Sequence, residues 1–123
     1  MQVKIDTKER FHAISINGPS LAANMTAELN DCLLPLLQNG VKNVVLNLEA
    51  IETIDKAAAE DLVKLQQLFY ERNASFVIWG LSPALEKWLD KEEILEMLNV
   101  TPTESEAWDI VQMEEIEREL MGE

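Results

Sequence analysis

Histidine and cysteine, the residue types that most often perform nucleophilic or metal chemistry, occur once each in this sequence. His12 would have to be the imidazole of any Ser/His/Asp triad, but it lies in a predicted strand, where a lone histidine is typically structural. Cys32 lies on a predicted helix beside Leu33, and we expect it to be a small core residue rather than a nucleophile. One cysteine and one histidine are also too few for a disulfide or a zinc centre within the chain.

Carboxylates are abundant, but their spacing does not single out an acid and a base. Glu28, Asp31, Glu60 and Asp61 lie on predicted helices, and nothing in the pattern pairs them for general acid–base catalysis. The glycines stand at positions 18, 40, 80 and 122, so the sequence contains no glycine-rich loop that could hold a phosphate. The sequence therefore predicts a protein that is not an enzyme and that holds no metal or other cofactor.

The size and charge of the chain limit the classes of partner. With 123 residues, 47% of them hydrophobic and 27% charged, residues 1–123 are expected to form one domain. Acidic residues outnumber basic ones 23 to 10, and the resulting charge of −13 repels nucleic acids and anionic membrane surfaces. The apolar runs are far shorter than the ~20 residues that span a bilayer, and the N-terminus does not resemble a signal peptide. We therefore expect a cytoplasmic protein with no direct nucleic-acid binding and no membrane insertion.

The apolar periodicity of the first residues predicts a β-hairpin. Val3 and Ile5 alternate with polar residues. In the next run, His12, Ile14 and Ile16 share one face of a predicted strand, and the other face consists of Phe11, Ala13 and Ser15. Only a short charged turn separates the two runs, so no crossover helix fits between them.

The rest of the sequence predicts alternating helices and strands in the order ββαβαβαβα, which is an α/β sandwich with parallel later strands. Pro35 is expected to kink or end the first helix, and Gly40 to cap it in a left-handed conformation. The predicted elements are a helix from about Asn24, a strand at 44–48, a helix at 56–72, a strand at 76–79, a helix from Pro83, a weak strand at 97–100 and a helix from Thr103.

Two further groups of residues could contact a partner, but packing or solvation explains each of them. We expect Trp79, Trp88 and Trp108 to pack in the core. The alternative interpretation is that Trp88 is partly exposed and anchors an interface. The acidic run between Glu114 and Glu119 is expected to be a solvated helix face, and a surface for a basic partner is the alternative. Neither group predicts catalysis.

The segment that joins the third predicted strand to the second helix, residues 51–59, is the strongest candidate for a binding site. A helix N-terminus at the carboxyl edge of a parallel sheet presents unpaired N–H groups and positive potential, which suit recognition. Asp55 is placed to cap this helix. The sequence leaves open whether Asp55 only caps the helix or also contacts a partner.

These residues resemble the STAS domain family, which is typified by bacterial anti-sigma factor antagonists. The segment VVLNLEAIETIDKAAAEDL resembles the third strand and following helix of that family, with Asp55 at the position of its signature aspartate. The resemblance runs from the hairpin to about Val111, and the supporting matches are Gly18, the turn at 80–84, the Trp88-Leu89-Asp90 helix and the helix opening at Thr103–Ala107. It implies a STAS-like sandwich, in which about four helices surround a mixed, mostly parallel sheet of four to five strands that starts with a β-hairpin.

The resemblance also implies a function and the loss of its switch. The family binds a serine-kinase-like anti-sigma factor through an Asp-Ser-Ser/Thr-Gly turn, and phosphorylation of a hydroxyl after the aspartate breaks that complex. Here Lys56 and Ala57 occupy the two hydroxyl positions and Ala58 replaces the glycine, while Thr53 lies on the wrong side of Asp55. The implied protein is a regulatory protein–protein interaction module without serine phosphorylation at this turn. The implied partner contacts are Asp55, Lys56, Ala57, Ala58, Ala59 and Glu60.

The expected partner is an anti-sigma factor, a serine-kinase-like ATPase or another regulatory protein, and two alternatives remain. STAS domains also serve as subunits of lipid-transport ABC systems and of stress-signalling assemblies. A receiver domain would instead use Asp55 as a phosphoacceptor. A receiver needs acidic Mg²⁺ ligands after its first strand and a helix directly behind them, and the predicted hairpin weighs against that arrangement.

Overall fold

The computed structural model describes residues 2–121, and a five-stranded mixed sheet forms its centre. The strands are β1 (Gln2–Thr7), β2 (His12–Asn17), β3 (Ser20–Leu21), β4 (Val44–Asn47), β5 (Thr53–Ile54), β6 (Phe76–Trp79) and β7 (Val100–Thr101). The helices are α1 (Ala23–Leu33), α2 (Lys56–Glu71), α3 (Pro83–Lys91) and α4 (Glu104–Leu120). In the sheet order β1-β2-β4-β6-β7, β1 and β2 pair antiparallel and the other neighbours pair parallel. The predicted hairpin and mostly parallel sheet are confirmed.

The side chains of the central strands alternate between two cores, one on each face of the sheet. Leu46 and Ile78 belong to the larger core, which α1, α2 and α3 cover, whereas Val45 and Val77 belong to a smaller core beneath α4. All four side chains are fully buried. Because both faces of β4 and β6 are covered, Val44–Leu46 and β6 are continuous apolar runs in the sequence.

Side-chain caps and one proline set the helix boundaries, as the sequence predicts. Ser82 caps α3 and Thr103 caps α4 through side-chain oxygens that accept backbone hydrogen bonds at 3.2 Å. α1 ends at Leu33, and a 3₁₀ turn with Pro35 near its start follows it. Within residues 2–121, no helix combines the length and the apolar character needed to cross a membrane.

Cys32 is exposed, so the prediction that it lies in the core is wrong. The buried stripe of α1 consists of Thr26, Leu29 and Leu33. Cys32 lies one residue before Leu33, which rotates its side chain about 100° around the helix and out of that stripe.

Two predictions about turns and strands also need correction. Gly40 does not adopt a left-handed conformation, because the 3₁₀ turn before it ends in an extended residue, Asn39. The last strand is Val100–Thr101 rather than 97–100, since a 3₁₀ turn at Leu95–Met97 occupies the start of the predicted range. The structure also adds a two-stranded parallel sheet of β3 and β5, which the sequence did not predict.

The three tryptophans pack as predicted, but the acidic run of α4 is not uniformly solvated. Trp79 and Trp108 pack against the smaller core and Trp88 against the larger one. Glu114 and Glu115 are only partly exposed, because their carboxylates accept hydrogen bonds from Asn99 at 3.3 Å and Asn43 at 3.0 Å, respectively. These bonds fasten α4 to the start of the parallel strands.

Candidate functional site

The candidate site begins where β4 ends, at a turn that is fitted closely against β6. The side-chain oxygen of Asn47 accepts a hydrogen bond from the backbone N–H of Glu49 at 2.8 Å, and the N–H of Leu48 donates to the carbonyl of Trp79 at 3.0 Å. Gly80 has a φ of +84°, and a Cβ at this residue would lie 2.5 Å from the Cγ of Glu49. Glycine is therefore required at this position by both its backbone conformation and the close approach of the turn.

The loops that follow β2 and β4 are joined by the small β3–β5 sheet. The carbonyl of Pro19 accepts hydrogen bonds from the N–H groups of Glu52 at 2.6 Å and Thr53 at 3.0 Å. The carbonyl of Leu21 accepts one from the N–H of Asp55 at 3.2 Å. This pairing fixes the starting points of α1 and α2 next to each other at the carboxyl edge of the main sheet.

The carboxylate of Asp55 caps both of these helices. One oxygen accepts a hydrogen bond from the N–H of Ala58 at 2.8 Å, which is the predicted N-cap of α2. The other oxygen accepts a longer one from the N–H of Ala23 at 3.4 Å, in the first turn of α1. The N-cap residue of α1 is Ala22, whose side chain has no oxygen, so Asp55 supplies the acceptor that α1 itself lacks.

A buried hydroxyl joins the same two helices one turn further along. The Oγ of Thr26, which is fully buried, lies 2.7 Å from the carbonyl oxygen of Ala23 and 2.7 Å from a carboxylate oxygen of Asp61. Both neighbours are acceptors and the hydroxyl has one proton, so it can donate to only one of them at a time. Asp55 and Thr26 together hold the N-terminal halves of α1 and α2 in one arrangement.

The six predicted contact residues, Asp55–Glu60, divide into exposed and buried positions; we name this segment the Asp55 corner. Asp55, Lys56, Ala57 and Glu60 are exposed, whereas Ala58 and Ala59 are completely buried. The prediction that Ala58 and Ala59 offer side chains to a partner needs correction, because both methyl groups pack into the larger core. The accessible part of the corner is the exposed set of residues.

An ion pair connects the Asp55 corner with α3. The Nζ of Lys56 lies 3.6 Å from a carboxylate oxygen of Glu92, which is the residue directly after α3. The lysine side chain is 60% exposed, so the pair contributes little to the stability of the fold. The ammonium group therefore remains accessible beside the first turn of α2.

The family model that matches this sequence describes the STAS domain and covers residues 2–107. The chain belongs to the STAS domain family. The matched span includes the main sheet, the Asp55 corner and the first turn of α4, and most of α4 lies beyond it.

Solved structures confirm that this STAS domain has the fold of its family. An anti-sigma factor antagonist from Mycobacterium paratuberculosis has a TM-score of 0.75 and 14% identity over 90% of this chain and 93% of that chain. The phosphorylated form of the Bacillus cell fate determinant SpoIIAA has a TM-score of 0.64 and 15% identity over 89% and 99%, respectively. A sulfate transporter family protein from Wolinella succinogenes has a TM-score of 0.70 and 20% identity over 85% and 86%. No curated protein matches the sequence.

In this STAS domain the two residues after Asp55 cannot carry a phosphoryl ester. Lys56 has an amine and Ala57 a methyl group, and both are exposed at the N-terminus of α2. Thr53 has a hydroxyl and is exposed, but it lies in β5, before Asp55 and outside the helix. The corner thus keeps the aspartate and presents a cation and a methyl group beside it.

His12, which could have been the imidazole of a catalytic triad, has a structural role. His12 is buried, its Nδ1 lies 2.9 Å from the Oγ of Thr7 and its Nε2 lies 2.8 Å from the carbonyl of Val41. The prediction of a structural histidine is confirmed. Within residues 2–121, no three acidic, histidine or cysteine side chains come together as metal ligands.

Sequence reasoning missed three residues that build the corner: Thr26, Asp61 and Gly80. Asp61 lies six residues after Asp55, which is about 1.7 helical turns, so this spacing does not place the two side chains on one face of the helix. The role of Thr26 depends on how α1 packs against α2. The role of Gly80 depends on the register of β6 with β4, which brings the residue after β6 close to Glu49. Neither relation is encoded by local spacing.

Proposed function

We propose that this STAS domain is a non-enzymatic regulatory module that binds a protein partner, in the manner of an anti-sigma factor antagonist, through the Asp55 corner and the exposed face of α2. The observation that carries the proposal is the exposed Lys56–Ala57 pair, held beside the family's signature aspartate on two capped helices. The partner that fits this proposal is an anti-sigma factor, a serine-kinase-like ATPase or another regulatory protein. The cytoplasmic location predicted from the sequence stays a prediction.

The exposed face of α2 has the mixed character of a protein-binding surface. Lys56, Glu60 and Lys64 follow one another at four-residue intervals, so their side chains form a row of alternating charge. All three are exposed, and Ala57 adds a flat apolar position at the end of the row. Because the two helices are already fixed by Asp55 and Thr26, binding requires little ordering of this surface.

The proposal includes constitutive binding. In the family's switch, a phosphoryl group adds about two negative charges at the helix N-terminus and disrupts the partner contact. Lys56 and Ala57 have no hydroxyl group, so this switch cannot operate at these two positions. We therefore expect the fraction of partner that is bound to depend on the amount of protein and not on phosphorylation at this turn.

The decisive experiment introduces the missing negative charge. The tagged chain is used as bait in an extract of its native host, and the captured protein is identified and purified. The Ala57→Glu variant should lose at least about tenfold in affinity for that protein, whereas Ala27→Glu, the same change at an exposed position of α1, should not. The second position of a helix accepts glutamate readily, so Ala57→Glu should fold normally. Equal binding by the two variants would remove the corner from the interface.

A second experiment tests the loss of the switch. The purified protein is incubated with ATP and its cognate kinase, and the phosphate on residues 51–60 is measured by mass spectrometry. We expect none in this segment, since Thr53 is its only hydroxyl and lies before Asp55. Stoichiometric phosphate there would contradict constitutive binding.

The alternative that keeps the fold changes the partner. One structural neighbour is a sulfate transporter family protein, so the fold alone does not select a regulatory partner. Capture of an ATPase subunit of a transport system, or of components of a stress-signalling assembly, would assign this chain to those machines. The same bait experiment therefore separates these alternatives from a sigma-regulating kinase.

The receiver alternative has two observations against it. An antiparallel strand follows β1 at the place where a receiver needs a helix. Within residues 2–121, Asp55 also belongs to no cluster of three acidic side chains of the kind that a receiver uses to hold Mg²⁺. Formation of a Mg²⁺-dependent acyl phosphate on Asp55 would nevertheless establish that function, and we expect none.

A further inference from the structure

The outer side of α4 carries an exposed apolar stripe that the fold does not use. Met113, Ile116 and Leu120 are 60%, 55% and 80% exposed, respectively. They follow one another at intervals of three and four residues, so their side chains lie along one face of the helix. We name these three residues the α4 stripe. Apolar side chains at this spacing are typical of a helix that packs against another helix.

The α4 stripe is not needed to hold α4 on the sheet. Ala107 and Val111 are completely buried against the smaller core, and the ring of Trp108 lies 5.0 Å from that of Phe11. Polar bonds from Glu115 and from Arg118, whose guanidinium lies 3.3 Å from the Oγ of Ser75, fasten the C-terminal turns. Because these contacts lie on the inner side of the helix, polar residues in the stripe would leave the fold intact.

The charge around the stripe selects the chemistry of its partner. α4 contains seven acidic residues and one arginine. Asp109, Glu117 and Glu119 flank the stripe, are exposed and form no ion pair within residues 2–121. A second copy of this chain would bring the same acidic flanks together, and an anionic lipid surface would repel them. A basic amphipathic helix can pack its apolar face on the α4 stripe and pair its basic side chains with the acidic flanks.

A groove next to the α4 stripe is also lined by apolar and acidic side chains. About 750 Å³ of open space lies between the C-terminal turns of α4 and the end of α2, lined in part by Leu120, Tyr70, Glu117 and Glu119. Tyr70 is 68% exposed. An aromatic ring beside carboxylates is a favourable environment for lysine or arginine side chains. Arg10 and Arg118 also line this groove. The guanidinium of Arg10 pairs with Glu115 at 3.3 Å, and that of Arg118 lies 3.3 Å from the Oγ of Ser75.

We propose that the α4 stripe and its acidic flanks bind a basic amphipathic helix of a partner protein, at a surface separate from the Asp55 corner. α4 covers the face of the sheet opposite to α1 and α2, and residues 113–120 lie beyond the span of the family match. The two surfaces can therefore be occupied together. The proposal goes beyond the function given above and does not depend on it.

The test uses a fluorescently labelled peptide of leucine and lysine arranged at helical spacing, titrated with the full chain. We expect saturable binding with an increase in helical circular dichroism. The variant Met113→Gln/Ile116→Gln/Leu120→Gln should weaken binding about tenfold or more. The matched control Ile5→Gln/Leu34→Gln removes exposed apolar side chains elsewhere and should leave binding unchanged. All of these positions are exposed, and thermal unfolding checks that each variant is folded.

The contribution of charge is tested separately. The variant Glu117→Gln/Glu119→Gln should weaken binding several-fold and flatten its dependence on salt, since the attraction between exposed charges is screened within about 10 Å at 0.1 M. A peptide with glutamate in place of lysine should not bind. Unchanged affinity in the triple variant would overturn the proposal. So would a dimer of the free chain that the triple variant dissociates, because the stripe would then belong to a second copy.

Discussion

Substitutions of Asp55 can measure separately the hydrogen bonds by which it caps α1 and α2. Asparagine keeps one oxygen, which can accept the hydrogen bond from the N–H of Ala58. Its NH₂ group cannot accept the hydrogen bond from the N–H of Ala23. Serine supplies one oxygen to α2 and cannot also reach α1. Alanine removes both acceptors. We therefore expect the order of stability wild type, then Asp55→Asn and Asp55→Ser, then Asp55→Ala.

The size of each step follows from the two distances. The bond to Ala58 is short at 2.8 Å, and loss of such a cap costs about 1 kcal/mol. The bond to Ala23 is long at 3.4 Å, so its loss, with the loss of a negative charge beside a helix N-terminus, costs about 0.5 kcal/mol. Asp55→Ala should lose about 1.5 kcal/mol of the free energy of unfolding and Asp55→Ser about 0.5 kcal/mol.

Urea unfolding followed by circular dichroism measures these differences, and Glu60→Ala on the same helix is the control for an exposed side chain. For a chain of this length, 1.5 kcal/mol corresponds to a fall in Tm of about 6 °C. If Asp55→Ser and wild type are equally stable, the bond to α1 contributes nothing. If Asp55→Ala changes stability no more than the control, the account of Asp55 as the link between two helices is refuted.

Three further perturbations follow from the structure. Gly80→Ala should cost about 2 kcal/mol in urea unfolding, because the residue has a φ of +84° and no room for a Cβ. Thr26→Val should cost about 1–2 kcal/mol in the same assay, since it leaves the carboxylate of Asp61 without its buried donor. The pKa of Asp6 is lowered, first by the hydrogen bond from Lys8 and then by the charge of Lys8. The pair therefore stabilises the folded state at pH values above the ordinary aspartate pKa. This stabilisation is lost as the pH falls through the lowered pKa. Lys8→Ala should raise the pKa of Asp6 towards its ordinary value in an NMR titration.

The parts of the fold that the sequence predicted are those in which one property repeats along a segment. The run at 44–48 is apolar apart from Asn47, because β4 is covered on both faces. β3 and β5 have two residues each, and backbone pairing across about thirty residues defines them, so they leave no periodic signal. Cys32 shows the same limit within a helix, since its neighbour Leu33 is buried and a shift of one residue reverses the prediction.

The site was predictable only where it depends on local spacing. Asp55 three residues before Ala58 is an N-cap pattern, and that bond is confirmed. The second bond, to Ala23, joins residues 32 positions apart and exists because two helices start side by side. The burial of Ala59 likewise depends on tertiary packing, since this residue lies in the larger core while Glu60 at the next position is exposed.

The sign of the charge at the start of α2 links the fold to the proposed function. A helix N-terminus is stabilised by acidic residues, yet its first position here is Lys56 and its first turn contains no acidic side chain. The ion pair of Lys56 with Glu92 is exposed and offsets little of this cost. Stability therefore does not explain the lysine. Under the proposed function, Lys56 gives the partner a positively charged contact at the start of α2.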